Sequence, residues 1–227
     1  AAVEQLNERF SVLTFGKPLP GDLQPGDLLE NKTWNPSFTM RGCTIKDHRA
    51  RGVVLKTPLP VVIENNFFSS MMSAVFLRGE SWFWFESGSV EDVLIQNNHF
   101  EYCAYSGNEH AVLRVTPRLG EHFDESIPYD RNIRFMNNHV RTFGNRIVWA
   151  ERVDGLQILG NSITQTRDAT VLYPGTPMID LTYCRDTTIE GNAYEGTNFH
   201  SISCDAASGG TLTARNNEGF HTRSRVE

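Results

Sequence analysis

No run of 18 apolar residues occurs anywhere in this chain of 227 residues, so the sequence encodes no helical membrane span. Helical periodicity is absent too, because apolar residues do not recur at three- and four-residue intervals. The first residues, AAVEQLNERFSVLTF, lack the charged n-region and apolar h-region of a secretory leader. A cytosolic chain and a mature or excised piece are the readings this leaves. Positive charge is in deficit: 21 Lys and Arg face 27 Asp and Glu, a formal net charge of -6. That balance argues against a nucleic-acid or anionic-membrane partner, both of which need a clustered positive surface. Cysteine is sparse, and Cys43, Cys103, Cys184 and Cys204 form no CxxC. In their apolar contexts Cys184 and Cys204 read as small buried hydrophobes. His48, His99, His110, His122 and His139 share no ligand spacing, and no nucleophile elbow, P-loop or dinucleotide fingerprint occurs. No metal and no cofactor are expected.

What the chain does have is a repeat. An apolar residue, one spacer and then Asn-Asn or Gly-Asn recur in IENNFF (63–68), IQNNHF (95–100), FMNNHV (135–140), ILGNSI (158–163), IEGNAY (189–194) and ARNNEGF (214–220), with a degenerate copy MRGCTI at 40–45. The last asparagines are Asn66, Asn98, Asn138, Asn161, Asn192 and Asn217, with Cys43 in the first equivalent place. Steps of 23, 32, 40, 23, 31 and 25 residues describe a constant unit of 23 carrying loop insertions. Each unit holds three short pieces that alternate with period two and favour β-branched residues.

Three short strands and three corners, stacked on copies of themselves, make an all-β, right-handed parallel β-helix of about seven coils. Residues 31–227 are assigned to it and 1–30 to the end of a preceding β segment. Asparagine suits the corner because it tolerates the left-handed region, and stacked amides bond from coil to coil. The six asparagines are therefore structural.

Insertions at 79–89, at 103–110 with 119–129, and at 164–177 interrupt the repeat, and solenoid insertions build binding clefts. GESWFWFESG (79–88) sets four aromatic rings between two glutamates. Flat rings stack on sugar faces. Strand alternation would turn Phe83 and Phe85 onto the coil and put Trp82, Trp84 and Glu86 on the other side. Glu86 beside the rings is placed in a partly dry site, which would raise its pKa toward general-acid work; an ordinary loop carboxylate paired with an arginine is the competing reading. On the third strands, if Val53, Leu55, Ile147, Trp149, Ile179 and Leu181 point inward, then Lys56, Arg78, Arg114, Asp180 and Asp205 face out. Glycosidases need two carboxyls, and Glu86 with Asp180 or Glu109 would supply them.

The stretch GDLLENKTWNPSFTMRGCTIKDHRARGVVLKT (26–57), then VVIENNFF and SAVFLRGESWFWFESGSVEDVLIQNNHF, resembles the C-terminal half of the family 110 glycoside hydrolases. Those are α-1,3-galactosidases, which remove terminal galactose from blood-group-B-type and linear glycans. The resemblance runs from about residue 26 to 192. It implies a parallel β-helix, an inverting mechanism, no metal and a periplasmic or secreted origin. Its RARG and WFWFESG elements match family positions, which carries Arg49, Arg51, Trp84 and Glu86 over to the substrate site, joined by Arg78 and Asp180; Glu86 is the catalytic candidate. A paired-aspartate stretch like DDAINVHG belongs to the family pattern and does not occur in these 227 residues. The chain is therefore expected to be the C-terminal portion of a longer enzyme, without full activity alone, its second carboxyl sought among Asp47, Glu109, Asp180 and Asp205. A non-catalytic carbohydrate-binding β-helix is the alternative. A structural solenoid whose insertions cap it or join it into a homodimer is the third reading.

Overall fold

The computed structural model describes the chain apart from residues 87, 121–123, 125–126, 145, 198–201, 225–227 and the side chains of 222–224. Residues 1–31 and 32–227 form separate compact units. The first is a hairpin, Ala2–Gln5 paired antiparallel with Ser11–Thr14, with its side chains exposed.

The second unit is a coil of three parallel sheets. The first sheet has seven strands, from Phe38–Arg41 to Thr213–Arg215. The second has six, from Thr44–His48 to Ala193–Glu195. The third has seven, from Val53–Leu55 to Thr222–Ser224. Each strand pairs in register with its counterpart one coil on, so alternation in sequence becomes columns in space. Ile63, Ile95, Phe135, Ile158 and Ile189 stack inward from the first sheet, and Leu77, Val115, Ala150 and Leu181 from the third. The Phe68 and Phe100 rings stack at 5.2 Å on the second. These columns are shielded from solvent at both faces of the coil interior, and the apolar area they bury is the main stabilising term.

The corner between the first and second sheets divides its work between two residues. Asn65, Asn97, Asn137 and Asn216 hold positive φ of 52–57°, and Gly42, Gly160 and Gly191 do the same at 62–66°. The left-handed residue is thus the first of each pair, which is why Asn and Gly alternate there. The second residue is the ladder. The Asn138 backbone N–H and Nδ2 donate to Asn161 Oδ1 at 2.9 and 3.0 Å, and Nδ2 also donates to Ile95 O at 3.1 Å. Its own Oδ1 accepts from the Asn98 backbone and Nδ2 at 2.9 and 3.1 Å. The pattern runs from Cys43 to Asn217, so the structural role expected for the six asparagines is the one observed. Buried amides with every donor mated are worth about 1 kcal/mol per bond and are far costlier to orphan.

Cys103, Cys184 and Cys204 are buried and Cys43 is exposed, all as free thiols. Burial pushes the Cys103 thiol up to about 11 and Cys184 up to about 12, so both behave as small hydrophobes. Among the described residues no helix is long and apolar enough to cross a membrane.

Candidate functional site

The outer face of the third sheet carries side chains that the pleat turns away from the core, yet several are buried. Val54, Phe76, Arg114, Trp149, Asp180 and Ser203 form one outward column, each in register with the next. Phe76, Arg114 and Asp180 are 4, 9 and 8% exposed. An outward column can reach such burial only when neighbouring loops and long side chains cover it. Trp149 belongs to this column rather than to the inward set with which strand alternation had grouped it. The inward positions beside it, Val148 and Ala150, are the buried ones.

Arg114 is fixed on all sides. Its Cζ lies 5.0 Å from the Phe76 ring centre and 4.6 Å from that of Trp149, Nε donates to Thr116 Oγ1 at 2.8 Å, and Nη1 donates to Glu109 O. Burial, then the neighbouring Arg78, pulls its pKa down to about 10. Arg146 stacks on Trp149 at 4.3 Å and pairs with Asp180 at 3.1 Å. Arg51 and Arg78 approach the Phe76 ring at 5.6 and 5.4 Å.

Glu151, two residues after Trp149, was not anticipated. Its carboxyl is held above the ordinary range by burial, against the pull of Arg114 and Arg152, with Asp180 adding to the rise. Register places it opposite Thr182, hence diagonal to Asp180. Both carboxyls therefore leave the same outer face from adjacent strands, and a pair of carboxyls is what an inverting glycosidase uses. The signal was available: Val148-Trp149-Ala150-Glu151 alternates, and the small Ala150 marks the crowded inner side.

The aromatic insertion is a closed loop. Glu80 and Glu86 exchange backbone hydrogen bonds at 3.3 and 2.9 Å, and Ser81 N donates to Arg118 O. Gly79 lets Gly88 O and Tyr129 approach to 2.5 Å of where a Cβ would stand. Because residues 81–85 form a turn, with Phe85 at φ 52°, strand alternation does not apply. Trp82, Phe83, Trp84 and Phe85 are all exposed, Trp84 at 64%. Glu80 is the anchor: 2% exposed, it accepts from the Trp82 and Phe83 N–H groups at 3.3 and 2.8 Å and pairs with Arg78 at 3.6 Å and Arg118 at 3.8 Å. Burial pushes its carboxyl up, and these partners together bring it below the ordinary value.

The expected site residues therefore separate. Glu86 is not in a dry pocket: its side chain is 56% exposed and ion-paired with Lys56. Lys56 continues the first strand of the third sheet and Asp180 lies on the fifth, about four strand spacings or roughly 19 Å away, so Glu86 and Asp180 do not pair. Arg51, Arg78 and Asp180 line the outer face, while Arg49 is exposed in the corner before it. Trp84 stands on the loop tip. Asp205 caps the short helix Ala206–Gly209 and accepts from Tyr183 N. Asp47 is exposed beside Lys46. His122 and part of the 119–129 insertion lie outside the described residues. Among the described residues no three His, Cys, Asp or Glu side chains are grouped to hold a metal ion.

The sequence model of the right-handed β-helix region matches residues 28–222. Alpha-1,3-galactosidase B of Bacteroides thetaiotaomicron is 35% identical over 196 residues, 85% of this chain and 32% of that protein. Alpha-1,3-galactosidase A of Bacteroides fragilis is 34% identical over 197 residues, 86% and 32%. Alpha-1,3-galactosidase A of Shewanella woodyi is 29% identical over 206 residues, 83% and 33%. The chain spans about a third of the length of the curated relatives it matches.

Proposed function

The chain belongs to the right-handed β-helix family, and from that premise we propose that it serves a glycoside hydrolase that removes terminal α-1,3-linked galactose from glycans with inversion. The observation that carries this reading is the outward column Phe76–Arg114–Trp149–Asp180, buried but for the half-buried Trp149, in a chain whose relatives are named alpha-1,3-galactosidase. A galactose ring needs a flat apolar surface and hydrogen-bond partners held at fixed angles around it. Trp149 supplies the surface. Arg114, locked between two rings, offers a guanidinium that loses little freedom on binding.

Glu151 and Asp180 are the carboxyls whose environments diverge. Burial favours the protonated form of Glu151, suited to donating a proton to the leaving oxygen. Asp180 is held by Arg146 and suits the activation of water. Glu86, on the rim beside Lys56, and the rings of Trp82 and Trp84 meet the rest of the glycan beyond the galactose. No cofactor enters this scheme. A periplasmic or secreted place is part of the same proposal, as is a homodimer.

The exposure of all four rings favours a second reading, a carbohydrate-binding β-helix without catalysis. Release of galactose from an α-1,3-galactoside, with NMR of the first-formed anomer, separates the two. Hydrolysis by inversion gives β-galactose first, and Glu151→Gln lowers kcat by about 100-fold or more, whereas Glu86→Gln acts mainly on KM. Galactoside binding without release assigns the acid–base pair to the part of the relatives that these 227 residues do not match.

A further inference from the structure

Three guanidiniums converge on one ring. The Cζ atoms of Arg114, Arg78 and Arg51 lie 5.0, 5.4 and 5.6 Å from the centre of Phe76, itself 4% exposed. Like charges so placed repel, and burial of Arg114 and Arg78 removes the water that would screen them. The nearby carboxylates offset this only in part. Glu80 is shared between Arg78 and Arg118. Glu86 is taken by Lys56. Glu109 is exposed, and burial holds the Glu151 carboxyl above the ordinary range. Among the described residues Arg51 enters no ion pair within 4 Å, and its guanidinium lies against the Phe76 ring.

A second observation lies beside these arginines. His110 is 7% exposed, and its buried Nδ1 has no hydrogen-bond partner. Arg114 and Arg51, after burial itself, are the charges that hold its pKa down, so the imidazole sits in their field as a neutral ring. Orphaned buried polar nitrogens are rare in a folded chain, and a ligand oxygen is one of the things that satisfies them.

A neutral sugar hydroxyl would accept a hydrogen bond here but would leave the mutual repulsion untouched. An oxyanion relieves both, through charge-assisted and forked contacts. We infer that Arg51, Arg78 and Arg114, with Phe76 as floor and His110 at the edge, form a subsite for an anionic substituent carried by the sugar, a sulfate ester or a carboxylate. This rests on the galactoside reading above and deepens it: the glycan accepted is acidic at the residue that reaches Phe76.

The test is calorimetric binding of galactose, galactose 6-sulfate, galacturonic acid and inorganic sulfate to this chain. At least one anionic sugar is expected to bind about tenfold or more tighter than galactose, the margin shrinking as salt is raised. Arg51→Gln, at an exposed position that leaves the core intact, is expected to bring that ratio close to one. Galactosides binding without any preference for the anionic forms overturns the subsite and leaves the galactoside reading standing. Inorganic sulfate binding as tightly as the anionic sugars means an adventitious ion only and overturns it too. If no sugar binds, both readings fall together.

Discussion

The Asn corner and the outer face of the third sheet belong to the same coils, and they treat buried polar groups in opposite ways. At the corner one residue type repeats, and each rung gives and receives the bonds the next one needs. On the third sheet no residue of the column repeats, and Phe76, Arg114, Trp149 and Asp180 put rings, cations and a carboxylate at successive levels. Burial there leaves Arg114 pulled down and Glu151 pushed up. Repetition serves the solenoid, because every coil must satisfy its neighbour. Variation that lowers stability persists where the side chains do something other than hold the coil together.

The contrast breaks most severely at the middle of the ladder. Asn138→Ala takes the acceptor from the Asn98 N–H, one of two acceptors from the Asn98 side-chain amide, and the donor from the Ile95 carbonyl, and is expected to lower unfolding free energy by about 3–5 kcal/mol in a denaturant titration. The same change at the last rung, Asn217→Ala, should lower it by only about 1 kcal/mol. Equal losses at both positions would mean that the ladder does not act rung by rung.

On the third sheet the sign reverses with pH. Because the folded state raises the pKa of Glu151, it binds more protons than the unfolded chain once pH passes the ordinary carboxylate range. Stability associated with this group is therefore greatest in acid and falls as pH rises through its raised value. Glu151→Gln should match the parent in acid and melt higher in alkali, while lowering turnover. A melting profile that stays parallel to the parent across pH would remove Glu151 from the strained face.

The smallest effect belongs to the solvated side of the coil. Arg134 pairs with Asp92 at 2.8 Å on the exposed face of the first sheet. Arg134→Ala should cost at most about 0.5 kcal/mol, and less in 1 M salt. A larger loss would show that the first sheet's outer face is not merely a wetted surface.

Much of this molecule is written in the order of its residues. Period-two alternation, the Asn-Asn and Gly-Asn pairs and the step of 23 residues specify parallel coils, because each coil must bury one face and satisfy one corner in the same way as the last. Even so, local pattern did not say which member of the pair makes the left-handed turn. The residues that bond from coil to coil are Asn66, Asn98 and their successors, while Asn65 and Asn97 bend the chain. Whether a large ring points into a coil or out of it was undecidable at Trp149, since a loop can bury an outward residue as well as the core can. The aromatic stretch was legible as an insertion, but strand alternation could not say which rings face the coil, because the Glu80–Glu86 closure bends the segment back on itself.

Sequence alone determined the solenoid, its corners and the presence of rings, arginines and carboxylates in the insertions, since those follow from near-neighbour rules repeated along the chain. Only the tertiary structure decided which of them meet. Stacking strands about 4.8 Å apart brings Phe76, Arg114, Trp149 and Asp180 together across a hundred residues, and leaves Glu86, close to them in sequence, out on the rim.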